Sequence, residues 1–404
     1  MHVPRLALLL GLIALALFAL GGGPAHAEVN APAATIGSGT AASCQTDAAK
    51  NAFASAVEAG GVIDFNCGPT TVTMDVNTNI AHLPVTVNGD NRIILSGEDL
   101  RQIFYVMGSG HLTLNDIILS DGEASQGGAI YVEQNAAVTL NRSFINGSKA
   151  TSSGGAIYNR GTLTISDSTL GSNIANVTGG GILNNAGTVT IHRSYLVSNQ
   201  AASGGAVYTV NGQLTVESSA VRSSFISNQG GGIFAAGPTT ITNSTFSNNR
   251  ALEGGALFLV ANATIVNSTF NENRANTAGA IWRGLSSNST IKNSIVAGSL
   301  DSNGNFPSLN CDGPELTSQG RNVISDGTCV PDSAGDRRNT DPLLGIWLGS
   351  PMRAYIPQAG SPAIDYGVGC PATDQRGFPR PLGVACDSGS IEVGGVVYIP
   401  MIRR

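Results

Sequence analysis

Charge is scarce in this chain. Only 12% of its 404 residues are Asp, Glu, Lys or Arg, about half the usual share. Basic residues are the scarcer kind: 21 Lys and Arg against 27 Asp and Glu leave a net charge of −6. That speaks against nucleic-acid binding as the main task, because phosphate backbones are held by basic stripes. Aromatic residues make up 5%, and the five His (2, 26, 82, 111 and 192) share no repeated position. No CxxC pair or His partner gives a Cys–His zinc spacing. After residue 27 no apolar run is long enough to span a bilayer. What the chain has instead is 52 Gly and 42% apolar residues, enough to bury a core. That content also argues against disorder.

The N-terminus reads as an export signal. Arg5 precedes an apolar run from Leu6 to Leu20, Gly21-Gly22-Gly23-Pro24 breaks it, and Ala25-His26-Ala27 is a small-x-small cleavage site. A mature chain would begin at Glu28, in a secreted or cell-surface protein. Six Cys fit that compartment. They fall in sequence-adjacent pairs, Cys44 and Cys67, Cys311 and Cys329, Cys370 and Cys386, outside the central repeat. Nearest-neighbour pairing is expected, each bridge closing a loop worth about 3 kcal/mol.

The middle of the chain repeats itself. Gly127-Gly128-Ala129-Ile130-Tyr131 returns at Gly154, Gly180, Gly204, Gly231 and Gly254, and as Gly279-Ala280-Ile281-Trp282. Leu163-Thr164-Ile165, Val189-Thr190-Ile191, Leu214-Thr215-Val216 and Ala263-Thr264-Ile265 keep step with it. A third motif is Asp167-Ser168-Thr169-Leu170, Asn243-Ser244-Thr245-Phe246 and Asn267-Ser268-Thr269-Phe270. The period is too short for most helical-pair repeats, and the Leu offsets of leucine-rich repeats are missing. Apolar–Thr–apolar alternation is a strand pattern. The expectation is an all-β fold: a right-handed parallel β-helix over residues 62–299, with about nine or ten coils of three strands. Asn173, Asn199, Asn249 and Asn273 should stack as an amide ladder at a bend. The register breaks at Ser218 to Phe225, which reads as an insertion of about five residues.

A solenoid needs capped ends. Residues 28–61 are expected to cap the first, through a helix from Asp47 to Ala59 with Ala48, Ala49, Ala52, Phe53, Ala56 and Val57 on one face. Asp47 would cap its start and Gly60 its end. Residues 300–393, richer in Pro, Asp and Cys, read as an irregular C-terminal domain, followed by a tail at 394–404.

Gly-Gly-Ala-Ile-Tyr, together with Asn243-Ser244-Thr245-Phe246-Ser247-Asn248-Asn249, resembles the right-handed β-helix proteins of the pectin-lyase-like superfamily, and bacterial surface proteins similar to polymorphic outer-membrane proteins in particular. The C-terminal part resembles a choice-of-anchor Q domain. The motifs are Asn339-Thr340-Asp341-Pro342-Leu343-Leu344-Gly345, Gly360-Ser361-Pro362-Ala363-Ile364-Asp365, Asp374-Gln375-Arg376-Gly377, Arg380-Pro381 and Cys386-Asp387. The chain departs from that pattern at Ser388, Ser390 and Ile391, where Ile, Ala and an aromatic residue are expected. The resemblance implies a fold and a surface or secreted location, and little about chemistry.

Gly-His-Gly and Arg-Ile-Lys, which polygalacturonase-like hydrolases carry, are absent. For a lyase, the candidates are Arg250 and Arg274 at equivalent repeat positions, with Glu253 and Glu272 nearby. An Arg base would need a depressed pKa, which guanidinium resists, so a solvated ladder of charges is the preferred reading. Asp326, Asp332, Asp336 and Asp341 offer oxygen ligands for Ca²⁺ but lack the regular spacing of a binding loop, and no cofactor is implied. Asp374 with Arg376 and Arg380 reads as ion pairs locking the cap. Tyr131, Tyr158, Tyr208, Phe234, Phe258 and Trp282 each follow the conserved aliphatic. Simple alternation sends them outward as a sugar-stacking stripe, whereas a bend would turn them into an internal stack. The favoured function is a monomeric, non-catalytic, adhesin-like protein that binds polysaccharides or surface glycans. The alternatives are a lyase or hydrolase of acidic polysaccharides and a passive spacer. Nucleic acid and stable membrane insertion are not expected.

Overall fold

The computed structural model describes residues 34–394, except 77, 78, 227, 302, 305–307, 333, 334, 351 and 352. The expected signal peptide and the tail from residue 395 onward lie outside the described residues. The fold is a right-handed parallel β-helix of about 11 coils. Three long parallel sheets of 12, 11 and 10 strands form its walls.

Each coil follows from its residue types. In the first sheet Leu163, Ile165, Val189, Ile191, Leu214 and Val216 point inward and are fully buried. Alternation turns the threonine between each pair outward. Strand register then stacks Thr86, Thr113, Thr139, Thr164, Thr190, Thr215, Thr240, Thr264 and Thr290 in one column along the wall. A left-handed residue turns the chain next: Asp116, Arg142, Asp167, Arg193, Ser218 and Asn243 all have φ between 43° and 51°. Asn and Asp are the non-glycine residues most at ease there. The second sheet inserts Leu170, Leu196, Val221, Phe246 and Phe270 into the core, the last two stacked at 5.0 Å. The third sheet contributes Ile130, Ile157, Ile182, Val207, Ile233 and Leu257.

The paired glycines are explained by space. Gly154, the first of its pair, sits at φ 68°. A Cβ on Gly155 would lie 2.2 Å from the Gly180 carbonyl of the next coil. The first needs the left-handed backbone and the second needs to have no side chain. In five middle coils a fourth short sheet, absent from the sequence expectation, bridges the second and third. Its strands are Glu123–Gln126, Lys149–Ser153, Ile174–Ala175, Gln200–Ala201 and Phe225–Ile226.

The amide ladder is present and fully buried. Asn173 Nδ2 donates to Asn199 Oδ1 at 3.0 Å, and Asn249 Nδ2 to Asn273 Oδ1 at 3.0 Å. Each Oδ1 also accepts a backbone N–H from the coil before, as Asn199 does from Asn173 and Asn249 from Ser224. The two halves are separated by Ser224, whose hydroxyl is buried and reaches no partner. Ser148 and Ser299 show the same orphaned hydroxyl at the outer ends of the two halves. A serine is one bond too short to reach the neighbouring coil. Ser224→Asn is therefore expected to join the halves and raise stability by roughly 1–3 kcal/mol, from buried groups newly satisfied. Denaturant unfolding of the two proteins measures this; an unchanged or lower midpoint would refute it.

The insertion expected at Ser218 to Phe225 does not exist. Ser218 occupies the turn position of Arg193, Ala220–Arg222 pairs with Tyr195–Val197, and Ser224 holds the ladder place of Asn199. Substitution of the usual Thr and Asn hid an unbroken register. The coils also extend beyond 62–299. Ala34–Ile36 pairs with Gly61–Phe65 in the first sheet, and Cys311–Asp312, Thr317–Ser318 and Val323–Ile324 add one more turn.

At the N-terminal end, a short helix α1 (Ala41–Cys44) leads into α2 (Asp47–Ala59). Thr46, not Asp47, caps α2: its Oγ1 accepts the Ala49 N–H at 3.1 Å, and Asp47 sits in the first turn. Ala49, Phe53 and Val57 are buried over the core opening, Ala56 is half-buried, and Ala48 and Ala52 face solvent. Gly60 ends the helix at φ 76°. The disulfides join Cys44 to Cys67, Cys311 to Cys329 and Cys370 to Cys386. Three such bridges suit an oxidising compartment. No described helix is long and apolar enough to cross a membrane.

The C-terminal residues do not form a separate ball. They fold back along the outer face of the second sheet. Ser390 and Gln375 bond the Thr245 hydroxyl at 2.8 and 2.6 Å, Tyr355 bonds Ser247 at 2.8 Å, and Asn267 donates to the Asp387 carbonyl at 3.0 Å. Polar, outward-facing Thr245, Ser247 and Thr269 are thereby buried.

Candidate functional site

The aromatic residues point outward, with no bend. Each follows an inward aliphatic in the same strand, and none belongs to the main core cluster. They stack face to face, coil on coil. Tyr105–Tyr131 and Tyr131–Tyr158 lie at 4.8 and 4.9 Å. Tyr208–Phe234, Phe234–Phe258 and Phe258–Trp282 lie at 4.4, 5.0 and 4.0 Å. Leu183 divides the column in two. Stacking buries Tyr158, Phe234 and Phe258 and leaves Tyr131, Tyr208 and Trp282 half-buried. Tyr105 is pushed up to about 12, chiefly by burial and by the hydrogen bond it donates to Glu133. Ring faces are spent on one another, so most of the column offers a sugar only edges. Trp282 is the exception, because the next coil sets Asp312 beside it in place of a ring.

Arg250 and Arg274 do stack on adjacent coils, bridged by their backbones. Arg250 lies over the Phe225 ring at 5.3 Å. The two glutamates separate: Glu253 accepts from Gln229 at 2.7 Å, whereas Glu272 lies at a different turn and accepts from Tyr355 Oη at 2.6 Å. Burial raises the Tyr355 hydroxyl well above its ordinary value. Each glutamate is thus engaged by a neutral partner, Gln229 or Tyr355.

The four aspartates have separate hydrogen-bond partners, although Asp326 and Asp341 line one groove. Asp326 accepts the N–H groups of Asn310 and Thr328, and Asp336 accepts from Asn322 and Ser318. Asp341 caps the Leu343 N–H, and Asp332 is an exposed partner of Arg338 at 3.6 Å. Among the described residues no group of three His, Cys, Asp or Glu could hold a metal ion.

The ion pairs of the cap are deeply buried. Arg376 binds Asp374 at 2.6 Å, and Arg380 binds Glu392 at 2.8 Å with both side chains almost fully enclosed. Glu392 and Asp387 were not read from the sequence as members of this cluster. Ser388 and Ser390, at the departures from the family pattern, are bonded to Arg321 and to Thr245 and Thr269.

Two of the concavities lie along the seam between coils and C-terminal segment. The larger, of about 570 Å³, is a groove lined by Glu272, Asp326, Asp341, Asn271, Ser308 and Asn310 around Leu309, Pro342 and Leu344. Among the described residues no Lys or Arg lines it. Asn310 is held by two bonds from its Nδ2, to Val296 and Ser325, while its buried Oδ1 has no partner. The smaller, of about 200 Å³, is lined by Arg193, Arg353, Arg376, Asp167 and Ser218, with Gln375 and others. Neither concavity was foreseen from the sequence, since its walls come from segments far apart in the chain, residues 271–310 and 325–345 for the larger and residues 167–220 and 353–376 for the smaller. Asp326, Asp341 and Glu272 of the groove and Arg376 of the smaller cavity had been marked, but for other roles. No family model and no curated protein matches this chain.

Proposed function

We propose that the protein is an exported, non-catalytic β-helix that binds carbohydrate in the groove at the seam. The observation that carries this is the groove's lining: carboxylate and amide acceptors surround an apolar floor, without a cation among the described residues. Sugars present hydroxyl donors around apolar C–H faces, which is the complementary pattern. The C-terminal motifs, similar to a choice-of-anchor Q domain, and the disulfides favour a secreted or cell-surface setting. The engagement of Glu253 by Gln229 and of Glu272 by Tyr355 favours binding over lyase chemistry.

A glycan array probed with purified protein tests the reading. Neutral oligosaccharides are expected to bind, with affinity falling about tenfold or more when Leu309→Arg places a cation in the groove, and holding in Trp282→Ala. Loss in Trp282→Ala alone would move the site to the open face of the aromatic column. No binding to any glycan would favour the spacer. Incubation with uronic-acid polysaccharides is expected to give no ultraviolet absorbance from unsaturated ends; turnover lost in Arg250→Ala or Arg274→Ala would restore the enzyme reading.

A further inference from the structure

The smaller concavity differs in chemistry from the groove. Three guanidinium groups face it, and two are already neutralised. Arg193 makes a forked pair with Asp167, both contacts at 2.7 Å. Arg376 is paired with Asp374 at 2.6 and 2.8 Å and also donates to the Glu392 carbonyl. Arg353 is different. Its guanidinium lies over the Tyr195 ring at 4.6 Å, and its Nε is buried without a hydrogen-bond acceptor. Among the described residues no carboxylate reaches it. One positive charge is therefore left over in a partly desolvated cavity, and burial holds Arg353 below the ordinary arginine value.

The position is fixed by the fold. The Arg353 N–H donates to the Gly349 carbonyl at 2.9 Å, and its own carbonyl accepts from Gln375 Nε2 at 3.1 Å. The aromatic face beneath it orients the guanidinium plane, and Ser218 lies in the wall. A planar fork of donors at a cavity, with excess positive charge, is the arrangement that recognises an oxyanion. We infer that this cavity binds a small oxyanion group, carboxylate or sulfate, through Arg353. It would take the charged substituent of an acidic sugar as readily as the free ion. This site is independent of the groove and of the carbohydrate reading given for it.

Titration with sodium sulfate and, separately, with galacturonate at low ionic strength tests this, followed by calorimetry and by the backbone amide shifts around Ser194 and Ser218. Saturable binding is expected, weakened about tenfold or more in Arg353→Gln. Galacturonate binding without sulfate binding would assign the site to a sugar carboxylate, and binding of both to the oxyanion generally. Arg353 also touches Tyr195, so its replacement can loosen the C-terminal segment. Ser218→Asp is therefore the second variant. It keeps Arg353, suits the left-handed backbone at Ser218, and supplies an internal carboxylate that competes for the free guanidinium. Binding should be lost there while the melting temperature holds or rises. Wild-type protein that binds neither ion, or binding undiminished in both variants, would overturn the proposal.

Discussion

Arg380→Ala is expected to cost about 3–5 kcal/mol and to free the C-terminal segment from the coils, because removing one member of a buried pair strands the other as an uncompensated charge. Glu392 is that other member. Its carboxylate also accepts the Leu382 and Asp387 N–H groups, and Arg380 in turn donates to the Asp387 and Gly389 carbonyls. One substitution thus undoes the hub that holds residues 380–392 in shape. Denaturant unfolding followed by far-ultraviolet circular dichroism should show a separate early transition or a midpoint shift of this size. A variant as stable as wild type would show that the segment is held by its contacts to Thr245, Thr269 and Asn267 alone.

The same cluster sets a pH dependence of unusual sign. Burial pushes the Asp387 carboxyl up to about 6, from 3.8. The folded chain takes up this proton more readily than the unfolded chain. This group therefore adds stability as pH falls from about 6 to about 4, by up to roughly 3 kcal/mol, and that contribution is absent above 6. Asp75, Asp116 and Asp167 act the other way. Lys50, Arg142 and Arg193 hold them below the usual carboxylate range, so the stability they lend is lost as pH falls through their folded values. The melting temperature should therefore hold or rise between pH 7 and 5 and fall in stronger acid. Asp387→Asn should remove the rise and leave the acid limb.

The second large effect lies in the amide ladder. Asn249→Ala would leave the Ser224 N–H without its acceptor and the Val221 carbonyl without its donor, both inside the fold. Each orphaned group costs about 1–3 kcal/mol, so a loss of several kcal/mol is expected. Asn249→Asp keeps the acceptor and loses the donor, and it buries a charge beside carbonyl oxygens, so it should be no better. Equal stability of the alanine variant, read from chemical denaturation, would mean that water replaces the ladder.

Most of the solenoid was legible because each coil writes the same requirements again. The Gly pair, the Thr between two aliphatics and the turn Asn recur because each coil must clear its neighbour at the same place. Where other residues satisfy the same requirement, the pattern vanished from view although the backbone did not change. Ser218 in place of a turn Asn and Ser224 in place of a ladder Asn looked like an insertion. The seam was illegible for another reason. Ser390 meets Thr245 and Asn293 meets Val368 across long stretches of sequence with no shared period. Neither Arg353 nor Asn310 stands in a motif, and their roles depend on what the returning segment sets beside them.

The disulfides staple only the two ends and the returning segment, and every coil between meets its neighbours through equivalent registers. Whole laps are therefore interchangeable units of length. Excising residues 164–189 would set Thr190 where Thr164 stands and shorten the rod by one strand spacing, about 4.8 Å, with both ends intact. It would also remove Leu183, and Tyr158 would then come to rest on Tyr208, fusing the two aromatic stacks into one. The cost would fall on Arg193, which loses Asp167, its counter-charge from the lap before.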